Sequence, residues 1–253
     1  MQNTFRRSIL ILNAMAIEVE QLKNIGYFNG LEQPELLAIS RFMTEQSVDK
    51  GEIFLFEGEW SENLFFLMAG LVKVYKTSSN GKEQILHIAP PGESLNDVST
   101  FDGGTNQASM LAMTPVHLYA LCKDDLKTIL ETYPRIYINI LKALAYRIRR
   151  DSNLVEELSS TQVMGRLAKL LMGKYAGEEA TVGLWLTQQD MASMIGTCRE
   201  VVNRSLKIME EKGAIRLGRH RIIVLKKDVL ADMATATIDT TPKYLQPVEK
   251  SKK

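Results

Sequence analysis

Between Gly51 and Cys122 the chain alternates short apolar runs with glycine punctuation. The runs are Ile53 to Phe56, Leu64 to Met68, Leu71 to Tyr75, Ile85 to Ile88 and Val116 to Leu121; between them lie Gly58, Gly70, Gly81, Gly92 and the Gly103-Gly104 pair. Short runs with turn signals every roughly 8 to 12 residues predict an all-β sandwich or barrel. Ser79-Asn80-Gly81-Lys82 reads as a hairpin turn, because Asn-Gly tolerates the positive φ such turns need. Upstream, Gln33-Pro34-Glu35 followed by Leu36, Leu37, Ile39 and Phe42 predicts a short amphipathic helix with proline in its first turn.

After Pro134 the period changes. Tyr137, Leu141, Leu144, Ile148, Asp151, Val155 and Leu158 follow alternating steps of four and three, the seam of a two-stranded coiled coil, with Asp151 as a polar break. Such a seam requires a second helix, so a homodimer axis is expected; the alternative is a helix packed on its own domain. From Thr161 onward the pattern is short helices and a terminal hairpin. Gln162 to Lys174 is amphipathic, Thr187 caps Gln188 to Ile195, Gly196 turns the chain, and Cys198 to Lys212 forms a second helix. Two short strands around Gly218-Arg219-His220 and a last helix capped by Asp228 follow.

The 253 residues, 45% hydrophobic and 24% charged, suit two domains that each bury a core. We divide the chain into a leader (1–25), a β domain (26–133), a dimerisation helix (134–160), a helix-turn-helix domain (161–232) and a flexible tail (233–253). Arg6 and Arg7 before Ser8 to Leu12 and Ala14-Met15-Ala16 mimic a signal peptide, but Asn13 breaks the apolar stretch and Met15 is an alternative start. No run approaches the roughly 18 to 20 apolar residues that span a bilayer, so no membrane partner is expected. Cys122 and Cys198 are the only cysteines, which excludes a disulfide framework, a zinc site rich in cysteine and a four-thiolate cluster, and fits a reducing cytoplasm.

The net charge of +1 hides an asymmetry. Residues 161–253 hold 16 Lys and Arg against 10 Asp and Glu, and residues 1–160 hold 15 against 20. From Arg199 to Lys227 there are nine basic residues and three acidic ones, a patch suited to phosphate. A helix, a glycine-centred turn and a second helix are the layout of a helix-turn-helix with a β-wing. On the second helix Arg199, Glu200, Asn203 and Arg204 occupy adjacent strips near the N-terminus. Arginine can donate twice to guanine O6 and N7, and glutamate can accept from cytosine N4, so these four are the candidate base readers. Thr187, Gln188, Lys207, Arg216, Arg219, His220 and Arg221 are the candidate phosphate contacts. The plainer alternative is an Arg/Glu pair bracing a solvated helix.

Taken together, the order of elements resembles the catabolite activator/fumarate-nitrate regulator (Crp/Fnr) superfamily. The resemblance rests on KGEIFLFEGEWSENLFFLMAGLVKVYKTSSNGKEQILHIAPPGE and on LTQQDMASMIGTCREVVNRSLKIMEEKGAI, residues 186–215, with its Arg-Glu-x-x-x-Arg at Arg199, Glu200 and Arg204. It implies an α+β chain: a β-roll of the cyclic-nucleotide-binding type (a double-stranded β-helix), a long dimerisation helix with Tyr137, Leu141, Leu144, Ile148 and Val155 in its seam, and a winged helix-turn-helix. It also implies palindromic promoter DNA with TGA-like half-sites about one helical turn apart, and RNA polymerase, as partners. Asn203 departs from the small residue often found at its place.

The resemblance further places an effector pocket at Asn96, Asp97, Asn106, Gln107 and Ala108. Members that bind cyclic AMP carry Gly-Glu and, about ten residues on, Arg-Ser or Arg-Thr at the matching positions. Gln107 cannot supply the charge that such an arginine gives the phosphate, so cyclic AMP is not expected. The oxygen-sensing iron-sulfur cluster is excluded because no cysteine precedes Cys122. Two effector classes stay open. One is a small organic or anionic ligand between the roll and the long helix. The other is haem b sensing nitric oxide or carbon monoxide in nitrosative-stress or anaerobic control, with His87 as axial ligand and Met68 or Met110 opposite. The rival from another class is a ligand-responsive regulatory subunit that never touches DNA. No enzyme is expected, since no nucleophile-base constellation or phosphate loop is present.

Overall fold

The computed structural model describes residues 19–173, 181–182, 186–219 and 221–235. His220, the leader up to residue 18 and the tail beyond residue 235 lie outside these. The chain divides into two compact units, residues 1–147 and 148–253. This boundary falls inside the long helix and not at its start, because the first turns of that helix pack into the β domain.

The described part of the first unit begins with α1 (Val19–Leu22), a 3-10 turn (Gly26–Phe28) and α2 (Gln33–Ser40). Glu32 and Glu35 close a capping box on α2, with Pro34 in its first turn. The expected leader is therefore too long: Leu22 and Ile25 are almost fully buried, so the chain joins the core before residue 26. Strands β1 (Met43–Val48), β2 (Ile53–Leu55), β3 (Asn63–Ala69), β4 (Val72–Thr77), β5 (Glu83–Ala89) and β6 (Ser94–Leu95) follow. Then come α3 (Asp97–Asp102), β7 (Ser109–Ala112), β8 (Val116–Cys122), α4 (Lys123–Thr132) and α5 (Arg135–Ser160).

The eight strands form two antiparallel four-stranded sheets, ordered β1-β8-β3-β6 and β2-β7-β4-β5. Alternation along β3 explains how they pack. Phe65 and Leu67 turn into the roll with Val72, Val74, Met110 and Leu118, while Leu64 and Phe66 face a second core made with α1, α2, α4 and the start of α5. Both faces of β3 are thus covered, and its sequence is correspondingly a continuous apolar run. At the β4–β5 hairpin only Gly81 has positive φ, at 78°, so the two-residue Asn-Gly turn expected there is replaced by a wider loop in which Ser78 N–H donates to Lys82 O at 3.0 Å.

In the second unit α6 (Val163–Met172), β9 (Thr181–Val182), α7 (Gln188–Met194), α8 (Arg199–Glu211), β10 (Ile215–Gly218), β11 (Arg221–Val224) and α9 (Lys227–Ala234) form a helix-turn-helix with a three-stranded wing ordered β10-β11-β9. A Cβ at Gly165 would lie 2.9 Å from Thr161 Cγ2 and 3.0 Å from Met233 O, so only glycine lets α6 and α9 approach this closely. Ala234 is buried in that contact, so the chain is still packed at the start of the expected tail (233–253). No described helix is long and apolar enough to cross a membrane.

Candidate nucleic-acid interface and effector region

The rotation of α8 is fixed by its buried side. Val202, Ser205, Leu206 and Met209 are buried at helical spacing, so Arg199, Glu200, Asn203, Arg204 and Lys207 all face outward. Ahead of α8, Gly196 takes φ 67° and Thr197 N–H donates to Ala192 O at 2.9 Å, closing the turn after α7. The Glu200 carboxylate is held below the usual carboxylate range, first by its own backbone amide in the open first turn and then by Cys198 and Arg199. It is therefore an ionised acceptor at the front of the helix.

The wing extends this surface. Lys207, Lys212, Arg216, Arg219, Arg221, Lys226 and Lys227 are exposed, and among the described residues none of them, nor Arg199 or Arg204, forms an ion pair. Glu210, one of three acidic residues in the stretch, accepts Leu217 N–H at 2.7 Å and so braces the wing. Thr187 is the expected N-cap of α7. Its hydroxyl caps α7, accepting Asp190 N–H at 3.0 Å and donating to Asp190 Oδ2 at 2.7 Å, and that carboxylate opposes an anion at the same spot. Gln188 is half-buried in the first turn.

Sequence reasoning missed the residue that ties this surface together. Arg166 is buried on α6, and its guanidinium donates to Ile195 O in the reading-head turn at 2.8 Å, to Thr161 O at 2.5 Å and to Leu158 O at the end of α5 at 3.4 Å. Burial pulls its pKa down and Glu157 opposes this. The signal was present: Arg166 lies three residues after Val163 and four before Leu170, a cation on an apolar face.

Along α5 the exposed apolar residues follow a register offset from the expected seam. Leu144 is half-buried and packs against the core of its own unit with Ile136 and Ile140. The exposed apolar stripe runs through Ile138, Leu141, Ala145, Ile148 and Val155, keeps steps of three and four, and carries Ser152 where Asp151 was expected. Leu141, Ile148 and Val155 belong to both registers and are 60 to 68% exposed; Tyr137 lies beside the stripe, also exposed.

The five expected effector residues are held by several different partners. Asp97 is fully buried at its side chain and receives the Tyr27 hydroxyl and Arg147 Nη1, while Arg147 Nη2 donates to Ser94 O and to Ser94 Oγ. Burial lowers the Arg147 pKa, but Asp97, Tyr27 and Glu93 more than offset it, so the net direction is upward and the guanidinium stays charged. Asn96, at φ 69°, spends its amide on Asn63 O and Ser99 Oγ. Gln107 is exposed, its carbonyl taken by Lys76 Nζ at 2.7 Å, and Lys76 is paired with Glu57; Ala108 is buried apolar core. Asn106 donates to Phe56 O at 3.0 Å, and its buried Oδ1 has no hydrogen-bond partner among the described residues. Arg147 was legible as a charge following Ile140 and Leu144 on the inward face of α5. A cavity of about 400 Å³ lined by Gln21, Asn24, Met68, Ala69, Pro91, Gly92 and His117 contains none of the five.

His87, the expected axial haem ligand, is engaged at one of its two ring nitrogens. Its Nε2 lies 2.9 Å from Glu93 Oε1, within 3.8 Å of which stands Arg147, and its buried Nδ1 has no hydrogen-bond partner among the described residues. An iron at Nε2 would have to displace a carboxylate that is also part of the Arg147 environment.

The comparisons agree with this architecture. Residues 45–133 match the cyclic nucleotide-binding domain family and residues 165–233 the Crp-like helix-turn-helix domain. A CRP-like cAMP-activated global transcriptional regulator of Mycobacterium tuberculosis is 30% identical over 221 residues, which is 85% of this chain and 99% of that protein. The cyclic AMP receptor protein of Thermus thermophilus is 28% identical over 214 residues, 84% of this chain and 98% of that protein. Among solved structures, the c-di-GMP responsive global regulator CLP of Xanthomonas campestris superposes with a TM-score of 0.69 at 18% identity, over 76% of this chain and 99% of that one, which supports the fold. A β-roll, a long helix and an exposed reading helix, joined to near full-length similarity with a known regulator, establish that the chain belongs to the Crp/Fnr superfamily of DNA-binding transcription regulators.

Proposed function

We propose that this regulator acts in the cytoplasm as a homodimer on palindromic promoter DNA, where it meets RNA polymerase, and that its β-roll responds to an effector other than cyclic AMP. The observation that carries the DNA reading is α8, whose packed side leaves Arg199, Glu200, Asn203, Arg204 and Lys207 together on the outside beside a basic wing that forms no ion pair among the described residues. The exposed stripe Ile138–Leu141–Ala145–Ile148–Ser152–Val155 supports the dimer, since a row of apolar residues at heptad spacing is stable only against a second helix. Selection from a randomised duplex pool tests this. The full chain should enrich a palindrome, and the triple variant Arg199→Ala/Glu200→Ala/Arg204→Ala should enrich none; equal retention of all duplexes would favour a regulatory subunit that does not read DNA.

For the effector, we favour a small anionic or organic ligand that competes with Asp97 and Ser94 for Arg147, because that guanidinium reaches the roll from the helix leading to the dimer and the DNA-reading unit. A ligand that binds one arrangement of Arg147 better than the other shifts the population by that difference in affinity. The two relatives named above are described as cAMP-activated or cyclic AMP receptors. Against cyclic AMP here stand Gln107 and Ala108 at the matching phosphate positions, with Lys76 committed to Glu57. Calorimetry with cyclic AMP should give no saturable heat; binding in the micromolar range would overturn this part.

A further inference from the structure

We propose that Asn203 specifies adenine at one position of each half-site, reading the N6 amine and N7 together. The inference rests on α8 being the groove helix and adds the base it selects at its least conventional position. Asn203 is exposed, one turn after Arg199 and one turn before Lys207, and Glu200 and Arg204 flank it on the same outward face. Val202 and Ser205 are buried on either side of the 203–204 pair, so the carboxamide cannot turn inward without unpacking the helix.

The carboxamide has no hydrogen-bond partner among the described residues, so its whole donor and acceptor capacity faces outward. Its neighbours on that face are two guanidiniums, an ammonium and a carboxylate, groups that only donate or only accept. The amide alone does both. Adenine offers N6–H as donor and N7 as acceptor on its major-groove edge, which Oδ1 and Nδ2 match in parallel. Guanine presents two acceptors there, so Oδ1 would meet O6 lone pair against lone pair. Arg199 and Asn203 are separated by about 6 Å along the helix axis, from roughly 1.5 Å per residue. With base pairs about 3.4 Å apart, the adenine falls within about two base pairs of the base under Arg199.

The test uses the full-length chain and the palindrome it enriches from the randomised pool, with each adenine of a half-site replaced in turn, on both strands, by 7-deazaadenine. That change swaps the N7 acceptor for C–H and leaves pairing intact. Wild type should lose roughly 2- to 10-fold in affinity per half-site at one adenine within two base pairs of the Arg199 contact, as expected for half of a bidentate pair. Asn203→Ala should bind more weakly, accept any base at that position and be indifferent to 7-deazaadenine there. If wild type tolerates every replacement, or Asn203→Ala remains sensitive at the same adenine, the assignment is wrong. Uniform weakening of all duplexes by Asn203→Ala, with a shallower salt dependence, would make Asn203 a phosphate contact and would also overturn it. Enrichment of no sequence would instead refute the DNA reading on which it rests.

Discussion

Arg147→Met keeps the length and apolar stem of the side chain and removes its charge, which isolates what the guanidinium does for the roll. The Asp97 side chain is 0% exposed and that of Arg147 is 19% exposed. In the variant Asp97 keeps one neutral donor, Tyr27, and the Ser94 carbonyl loses its donor. Deleting one member of a buried pair costs about 3 to 5 kcal/mol, and the partial exposure of Arg147 places this case at about 3 kcal/mol. With a urea slope of about 2 kcal/mol per molar, the unfolding midpoint of the first unit should fall by about 1.5 M. Trp60 belongs to that unit and Trp185 is the other tryptophan, so fluorescence in a Trp185→Phe background, at fixed protein concentration, follows the roll alone. Asp97→Asn should cost a similar amount, and the double variant should lose about 1 to 3 kcal/mol less than the sum. Additive losses, or an Arg147→Met cost under about 1 kcal/mol, would refute the buried pair as a coupled unit.

Other outcomes follow from the same geometry. Arg166→Ala should strip three carbonyls of their donor and destabilise the second unit by about 2 to 4 kcal/mol, with faster hydrogen exchange at Ile195 to Cys198; Arg166→Lys should not rescue it, because one ammonium cannot reproduce the planar fork. Ile148→Asp should dissociate the dimer in sedimentation, whereas Leu144→Ala should leave the dimer intact and cost the first unit about 2 to 4 kcal/mol, since Leu144 faces its own core. Arg204→Ala should weaken binding to the selected palindrome by roughly 5- to 150-fold and relax one guanine position, read by competition with single-base variants. Tyr27 has its phenol pKa raised, by burial first and by Asp97 second. A raised folded pKa gives stability that is complete below the unfolded value of about 10 and is lost as pH rises through the folded value, so the midpoint of the first unit should fall above pH 10 and Tyr27→Phe should remove that part of the decline.

Much of this was legible from the order of residues, and the reason is period. The apolar runs Leu64 to Met68 and Val116 to Leu121 are strands because both of their faces are covered, and the outward set on α8 follows from 202, 205, 206 and 209 alone. What the sequence left open depends on contacts far apart in the chain. Tyr27 and Asp97 are 70 positions apart and Arg147 lies 50 beyond Asp97, so no local pattern joins them. The one-residue offset between the expected seam and the exposed stripe of α5 has the same origin. Leu144 fits a heptad as well as Ala145 does, and only the core formed with Ile136 and Ile140 decides between them. The partners of the expected pocket residues were not legible in their motif positions: Asn96 and Asp97 are consumed by their own network, while Gln107 stands on the surface.

The most direct test of the central claim is a salt titration of binding to the selected palindrome and to a scrambled duplex of equal composition, followed by fluorescence anisotropy. One dimer per palindrome, affinity at least about 10³-fold above the scrambled duplex, and a log-log salt slope set by several phosphate contacts are the results predicted. Equal affinity for both duplexes, or binding insensitive to salt, would contradict an outward α8 and a basic wing acting as the DNA-reading surface.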